Sequence, residues 1–190
     1  MIDMERYLYE RVKPIIEGWK EEGIYAISFF IETNLVEDNI PVFIVSYNTE
    51  ADCEEEDELI SYRERRWNYA SWRQEETPVI SDEESTQFLL DWFSEKGIKN
   101  VGVEEGEQYD EEFRYIGKGP NGLYELLEVI TTVAKRLHAE EVIKNKFGKE
   151  IPIIVHDLEY PWYMIEATEK ANPPGLVDEF IEAVENGFED

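Results

Sequence analysis

The sequence predicts an α+β fold: one domain over residues 1–190, built as a mainly antiparallel sheet flanked by amphipathic helices. Three observations predict it. Two short runs rich in β-branched and aromatic residues, "IYAISFFI" (24–31) and "PVFIVSY" (41–47), are separated only by the polar loop "ETNLVEDN". With no helix between them they pair antiparallel, which argues against a parallel doubly wound sheet. Apolar residues between 123 and 137 recur at the 3.6-residue period of a helix. Finally, 42% of the residues are hydrophobic, with eleven Tyr, nine Phe and five Trp, far more aromatic surface than a disordered acidic chain carries.

Taken in order, residues 3–21 place Met4, Leu8, Val12, Ile15, Ile16 and Trp19 on one helical stripe, with Pro14 expected to kink or restart the helix and Gly23 to end it. The two strands follow. "SDEESTQFLLDWFSEKG" reads as a helix with a capping box from Ser81 to Glu84, a buried face of Phe88, Leu89, Trp92 and Phe93, and a stop at Gly97. "IKNVGVEEG" is expected to hold a short strand. After "GKGPNG", with Asn121 as the expected cap, Leu123, Leu126, Leu127, Ile130, Val133, Ala134 and Leu137 define the most regular helix. "IPIIVHDL" (151–158) predicts a third strand and "PWYMIEAT" a fourth. Val177, Phe180, Ile181 and Val184 mark a closing helix beyond "ANPPG".

Forty-five acids against 18 bases give a formal charge of −27. Such a surface repels nucleic acid and anionic membranes, whose binding depends on Lys and Arg, and draws in basic partners. The N-terminus is charged from residue 3 and lacks an apolar signal core, and no apolar run reaches about 18 residues, so a cytoplasmic protein is expected. The single cysteine, Cys53, allows no intrachain disulfide.

The candidate chemistry is sparse. "GKGPNG" (117–122) puts glycines ahead of a helix, where backbone N–H groups hold anions, but lacks the Gly-Lys-Ser/Thr ending of a phosphate loop and reads as plain helix initiation. "HDLE" offers His156, Asp157 and Glu159, yet neighbours on a strand point to opposite faces and the only other histidine, His138, lies on the regular helix. No metal or cofactor is expected. As a base His156 has no recognisable nucleophile beside it. Cys53 lies among carboxylates that keep its thiol protonated. The acidic runs at 54–58 and 104–112 lack the order of a calcium loop and read as solvated faces.

One stretch stands apart. "YRERRWNYASWR" (62–73) holds Arg63, Arg65, Arg66 and Arg73, half of the eight arginines, together with Trp67 and Trp72. It follows an acidic run that includes Glu54, Glu55, Glu56, Asp57 and Glu58. Arginines stack on aromatic rings and grip carboxylates through paired hydrogen bonds, so the cluster serves either to neutralise the chain's own acids or to bind an acidic ligand. In the second case Arg63, Arg65, Arg66, Trp67, Trp72 and Arg73 are the binding residues. Glu54 to Glu58 are the acids expected to face a basic partner.

In sequence order, "YAISFFIE", "VFIVSYNTE", "RRWNYASW", "IPIIVHDLEY" and "KANP" resemble a family of small acidic bacterial proteins catalogued as a domain of unknown function. The most specific pieces are "SYNTE" and "RRWNYASW", and the resemblance spans residues 5 to 186. It implies a cytoplasmic bacterial protein similar in character to the immunity proteins encoded beside toxins, and it carries over no catalytic residue and no cofactor. Two readings follow. The favoured one is a non-enzymatic binding protein, an immunity-type inhibitor of a basic toxin or nuclease. The alternative is an enzyme acting on a small phosphorylated or acidic molecule, with the arginines as clamp and His156 as base.

Overall fold

A computed structural model describes residues 1–33, 39–54, 60–73 and 76–189. Within them the chain forms α1 (Met4–Gly18), β1 (Ile24–Thr33), β2 (Pro41–Thr49), α2 (Glu50–Glu54), α3 (Tyr62–Trp67), β3 (Thr77–Ile80), α4 (Glu83–Lys96), α5 (Leu123–Ala139), α6 (Val142–Phe147), β4 (Ile153–His156), α7 (Trp162–Ala171) and α8 (Asp178–Glu185). A single 3-10 turn, Tyr69–Ser71, follows α3.

The α+β expectation is met, with a mixed sheet of order β3-β2-β1-β4. The pairs β1–β2 and β2–β3 are antiparallel, while β4 lies parallel to β1, with Phe29 opposite Val155 and Phe30 opposite His156. The helices between β1 and β4 supply the crossover that a parallel pair needs.

Each face of the sheet has its own hydrophobic cluster. Ile27, Phe29, Ile31, Phe43, Val45, Ile153 and Val155 pack against α1, α4, α5 and α7. Ala26, Phe30 and Ile154 face the other way and pack against Trp67, Tyr69, Trp72 and the apolar side of α8. A register shift between Ile24 and Ala26 brings Tyr25 into this second cluster. The second face is also polar, because Ser28, Ser46, Asn48 and His156 are fully buried there.

Several expectations need correction. Pro14 sits inside a continuous α1 rather than restarting it. The box at the start of α4 is made by Asp82 and Ser85, one residue later than expected; Gly97 ends the helix in the left-handed conformation as read. Asn121 does not cap α5, since Gly122 takes that place with φ +95°. Residues 98–106 form turns and no strand. "PWYMIEAT" is no strand either: its Tyr163, Met164, Ala167, Thr168 and Ala171 form the buried face of α7. Their helical spacing outweighs the local aromatic content. Thr168 fixes α7 to β4 by accepting from the Val155 N–H at 2.9 Å and donating to the Val155 carbonyl at 2.9 Å. The short β3 went unread because a four-residue edge strand with a proline has no alternation to find.

Candidate functional site

The arginine stretch folds inward. The Ser61 hydroxyl caps α3 by accepting from the Glu64 N–H at 2.9 Å; Trp67 at the helix end and Tyr69 and Trp72 in the turn after it pack onto the polar face of the sheet. Trp67 and Trp72 are buried; their indole N–H groups donate to Glu179 at 3.0 Å and to the Arg66 carbonyl at 2.9 Å. Arg66, only 15% exposed, lies 4.1 Å from the centre of the Tyr25 ring and reaches Glu50 at 2.6 Å and Glu179 at 3.4 Å. Burial works against its charge, and the Glu50 carboxylate more than offsets this, so its pKa lies above the ordinary arginine value. Arg63 pairs with Glu182 at 3.2 Å and Arg73 with Asp52 at 3.4 Å. Arg65 donates to the backbone carbonyls of Cys53, at 3.2 Å, and Ile60.

The four arginines therefore tie α3 and the segment after it to α2 and α8 through the chain's own acceptors. Of the acids expected to face a partner, Glu54 ends α2 with its side chain exposed; Glu55, Glu56, Asp57 and Glu58 lie outside the described residues.

Cys53 is buried beside Tyr25, and desolvation, more than the nearby carboxylates, raises its thiol pKa. His138 is held by Glu150 at 2.7 Å and Asn172 at 3.2 Å. Among the described residues no three His, Cys, Asp or Glu side chains converge as a metal set.

His156 lies at the centre of the polar face, wholly buried, with the rings of Tyr69 at 4.5 Å, Phe30 at 5.5 Å, Tyr160 at 5.9 Å and Trp72 at 6.1 Å. Its Nδ1 is 2.8 Å from the Asp157 carbonyl oxygen. A carbonyl only accepts, so Nδ1 carries the proton and Nε2 is left to accept from the Ser28 hydroxyl at 2.8 Å. Burial lowers the pKa of His156 to about 4 and keeps it neutral. Opposite Ser28 in the register stands Ser46, whose buried hydroxyl has no hydrogen-bond partner. Nothing in the sequence marked Ser28, because the pairing depends on which strand β4 joins.

A second region stands outward. Residues 108–116 form a short hairpin, with Tyr109 bridged to Tyr115 and the Ile116 N–H donating to the Gln108 carbonyl at 2.8 Å. Asp110 organises its tip: its carboxylate accepts from the N–H groups of Glu112 at 3.0 Å and Arg114 at 2.9 Å and from the Arg114 guanidinium at 2.8 Å. Phe113 is thereby held at φ +60° and stands 87% exposed. Phenylalanine adopts this left-handed conformation only where surrounding bonds impose it. The hairpin is anchored at its base, where the Trp162 indole donates to the Gly117 carbonyl at 2.9 Å and Tyr115 donates to Glu104. Sequence reading singled out its acids and missed its aromatics; the signal was the pair Tyr109 and Tyr115 flanking Asp110, the pattern of a tight turn between strands.

No protein-family model, curated protein or solved structure matches the chain. No helix among the described residues is long and apolar enough to cross a membrane.

Proposed function

We propose that this chain is a non-enzymatic cytoplasmic binding protein that covers a basic surface of another protein, in the manner of an immunity-type inhibitor of a basic toxin or nuclease. One observation carries the reading: the densest cluster of positive charge is folded inward onto the chain's own acids, with Arg66 gripped between Glu50, Glu179 and Tyr25. Several bases elsewhere do the same: Arg6, Arg114, Arg136, Lys144 and Lys170 each lie on a neighbouring carboxylate. The acids exceed the bases by 27, so the net field of the chain is negative and complementary to a cationic groove. A nuclease groove is cationic because it holds phosphates, and carboxylates compete for the same lysines and arginines.

Such steering raises the association rate and fades as salt shortens the ~8–10 Å screening length. The test captures a partner from the native cell, purifies it and follows association across a salt series. A basic protein whose association slows steeply with salt supports the reading; association indifferent to salt removes it.

The enzyme alternative has one observation in its favour, the Ser28 hydroxyl donating to a neutral His156, which is the arrangement of a base-activated nucleophile. Both groups are wholly buried, His156 beneath Tyr69, Trp72 and Tyr160. Turnover of a small phosphorylated metabolite, abolished by His156→Ala, would hand the protein to this alternative.

A further inference from the structure

The large exposed apolar side chains are unevenly placed. Among the described residues Val103, Tyr109, Phe113 and Ile116 lie within one loop system, and Trp162, 40% exposed, is bonded to its base. A folded domain keeps such side chains single and scattered unless they serve an interface. We infer that the 108–116 hairpin is the docking element of this protein and that its occupant is a basic protein with an apolar pocket ringed by Lys and Arg, into which Phe113 inserts. This rests on the binding reading above and goes beyond it by naming the surface and its anchor.

The backbone that mounts the anchor is bonded before any partner arrives. The Phe113 N–H donates to the Asp110 carbonyl and the Asp110 N–H to the Arg114 carbonyl, each at 3.0 Å, and the Tyr109 and Tyr115 rings meet edge to face at 5.6 Å. A loop already held by its own bonds loses little backbone entropy on docking, which suits it to present a central anchor.

Charge selects the occupant. Between 103 and 118 the chain carries six acids, Glu104, Glu105, Glu107, Asp110, Glu111 and Glu112, against Arg114 and Lys118. Arg114 is already held by Asp110 and Glu112, so the segment that carries Phe113 is anionic. A second copy of this chain, a nucleic acid and an anionic membrane are all repelled by it. A cationic rim on the partner is complementary, with its apolar centre excluding water around the buried ring.

The probe is a displayed library of constrained random peptides panned against the full chain. The expected binders combine Lys or Arg with apolar residues and weaken at high salt. Their affinity falls at least tenfold with Phe113→Ala, falls also with Asp110→Ala, which keeps the ring but loosens its mount, and is unchanged by Tyr62→Ala, an exposed aromatic in the arginine stretch. Cationic binders indifferent to Phe113→Ala, or lost with Tyr62→Ala instead, would overturn the docking hairpin and leave the basic-partner reading standing. Enrichment without cationic preference would overturn both. Because Phe113 is exposed, unchanged unfolding of the variant separates lost binding from lost folding.

Discussion

Residues 62–73 and 104–117 are made of the same materials, aromatic rings and charges, and fold in opposite senses. In the first, Trp67, Tyr69 and Trp72 cover the polar face of the sheet and the arginines reach the acids of α2 and α8. In the second, Phe113 and Tyr109 stand in solvent within an acid-rich segment. The sign of the charge explains the difference. A guanidinium is weakly hydrated and lies well on a ring, so it can be drawn inward where a carboxylate meets it. Carboxylates in a chain with 45 acids and 18 bases mostly lack a cation, and burying one unpaired is prohibitive, so the acid-rich segment stays out and carries its rings with it.

The contrast breaks most visibly at Trp67. Trp67→Ala removes a buried ring that meets Tyr25 at 5.6 Å and Phe180 at 6.0 Å, together with its indole bond to Glu179. The expected loss is ~3–5 kcal/mol in a denaturant titration. A loss under 1 kcal/mol (about one-fifth of the upper figure) would mean the stretch does not hold the second face together.

Arg66→Ala comes next. It leaves Glu50 without its partner at 2.6 Å and uncovers the Tyr25 ring, for an expected ~2–4 kcal/mol. An unshifted midpoint would return Arg66 to the role of a free ligand clamp.

Beneath the first region, pH sharpens the comparison. His156, under Tyr69 and Trp72, has its pKa lowered from 6.5 to about 4, so between those values only the unfolded chain takes up the proton and stability falls as pH falls. Asp157, the next residue, is raised by burial from 3.8 to about 6. In that window the folded chain holds its proton and stability rises as pH falls, opposing His156. Asp157→Asn removes the opposing slope. The variant should exceed the parent by ~1–2 kcal/mol at neutral pH and lose that advantage as pH falls through about 6 towards 4. Parallel stability curves for the two proteins would contradict the assignment.

The smallest effect is expected at Phe113. Being 87% exposed, its replacement by alanine should change stability by no more than about 0.5 kcal/mol, in contrast to its effect on binding. A drop of several-fold that size in thermal or denaturant unfolding would make the ring part of the fold rather than of an interface.

What the sequence by itself determined are the features written in local periodicity and composition. The antiparallel β1–β2 pair follows from two β-rich runs and a short polar loop, α5 from its 3.6-residue stripe, and the stop of α4 from Gly97. The acidic field follows from counting. What only the tertiary structure decided depends on partners distant in the chain. The parallel docking of β4 on β1 sets His156 against Ser28, 128 residues away, and Thr168 on Val155 shows why "PWYMIEAT" packs as a helix. Arg66 also meets Glu179, 113 positions on, and the segment that carries Phe113 is tied at Gly117 to Trp162. The carboxylates that neutralise the arginine stretch come from both neighbouring and remote segments, and among so many acids no local rule selects them; long-range packing against the sheet does.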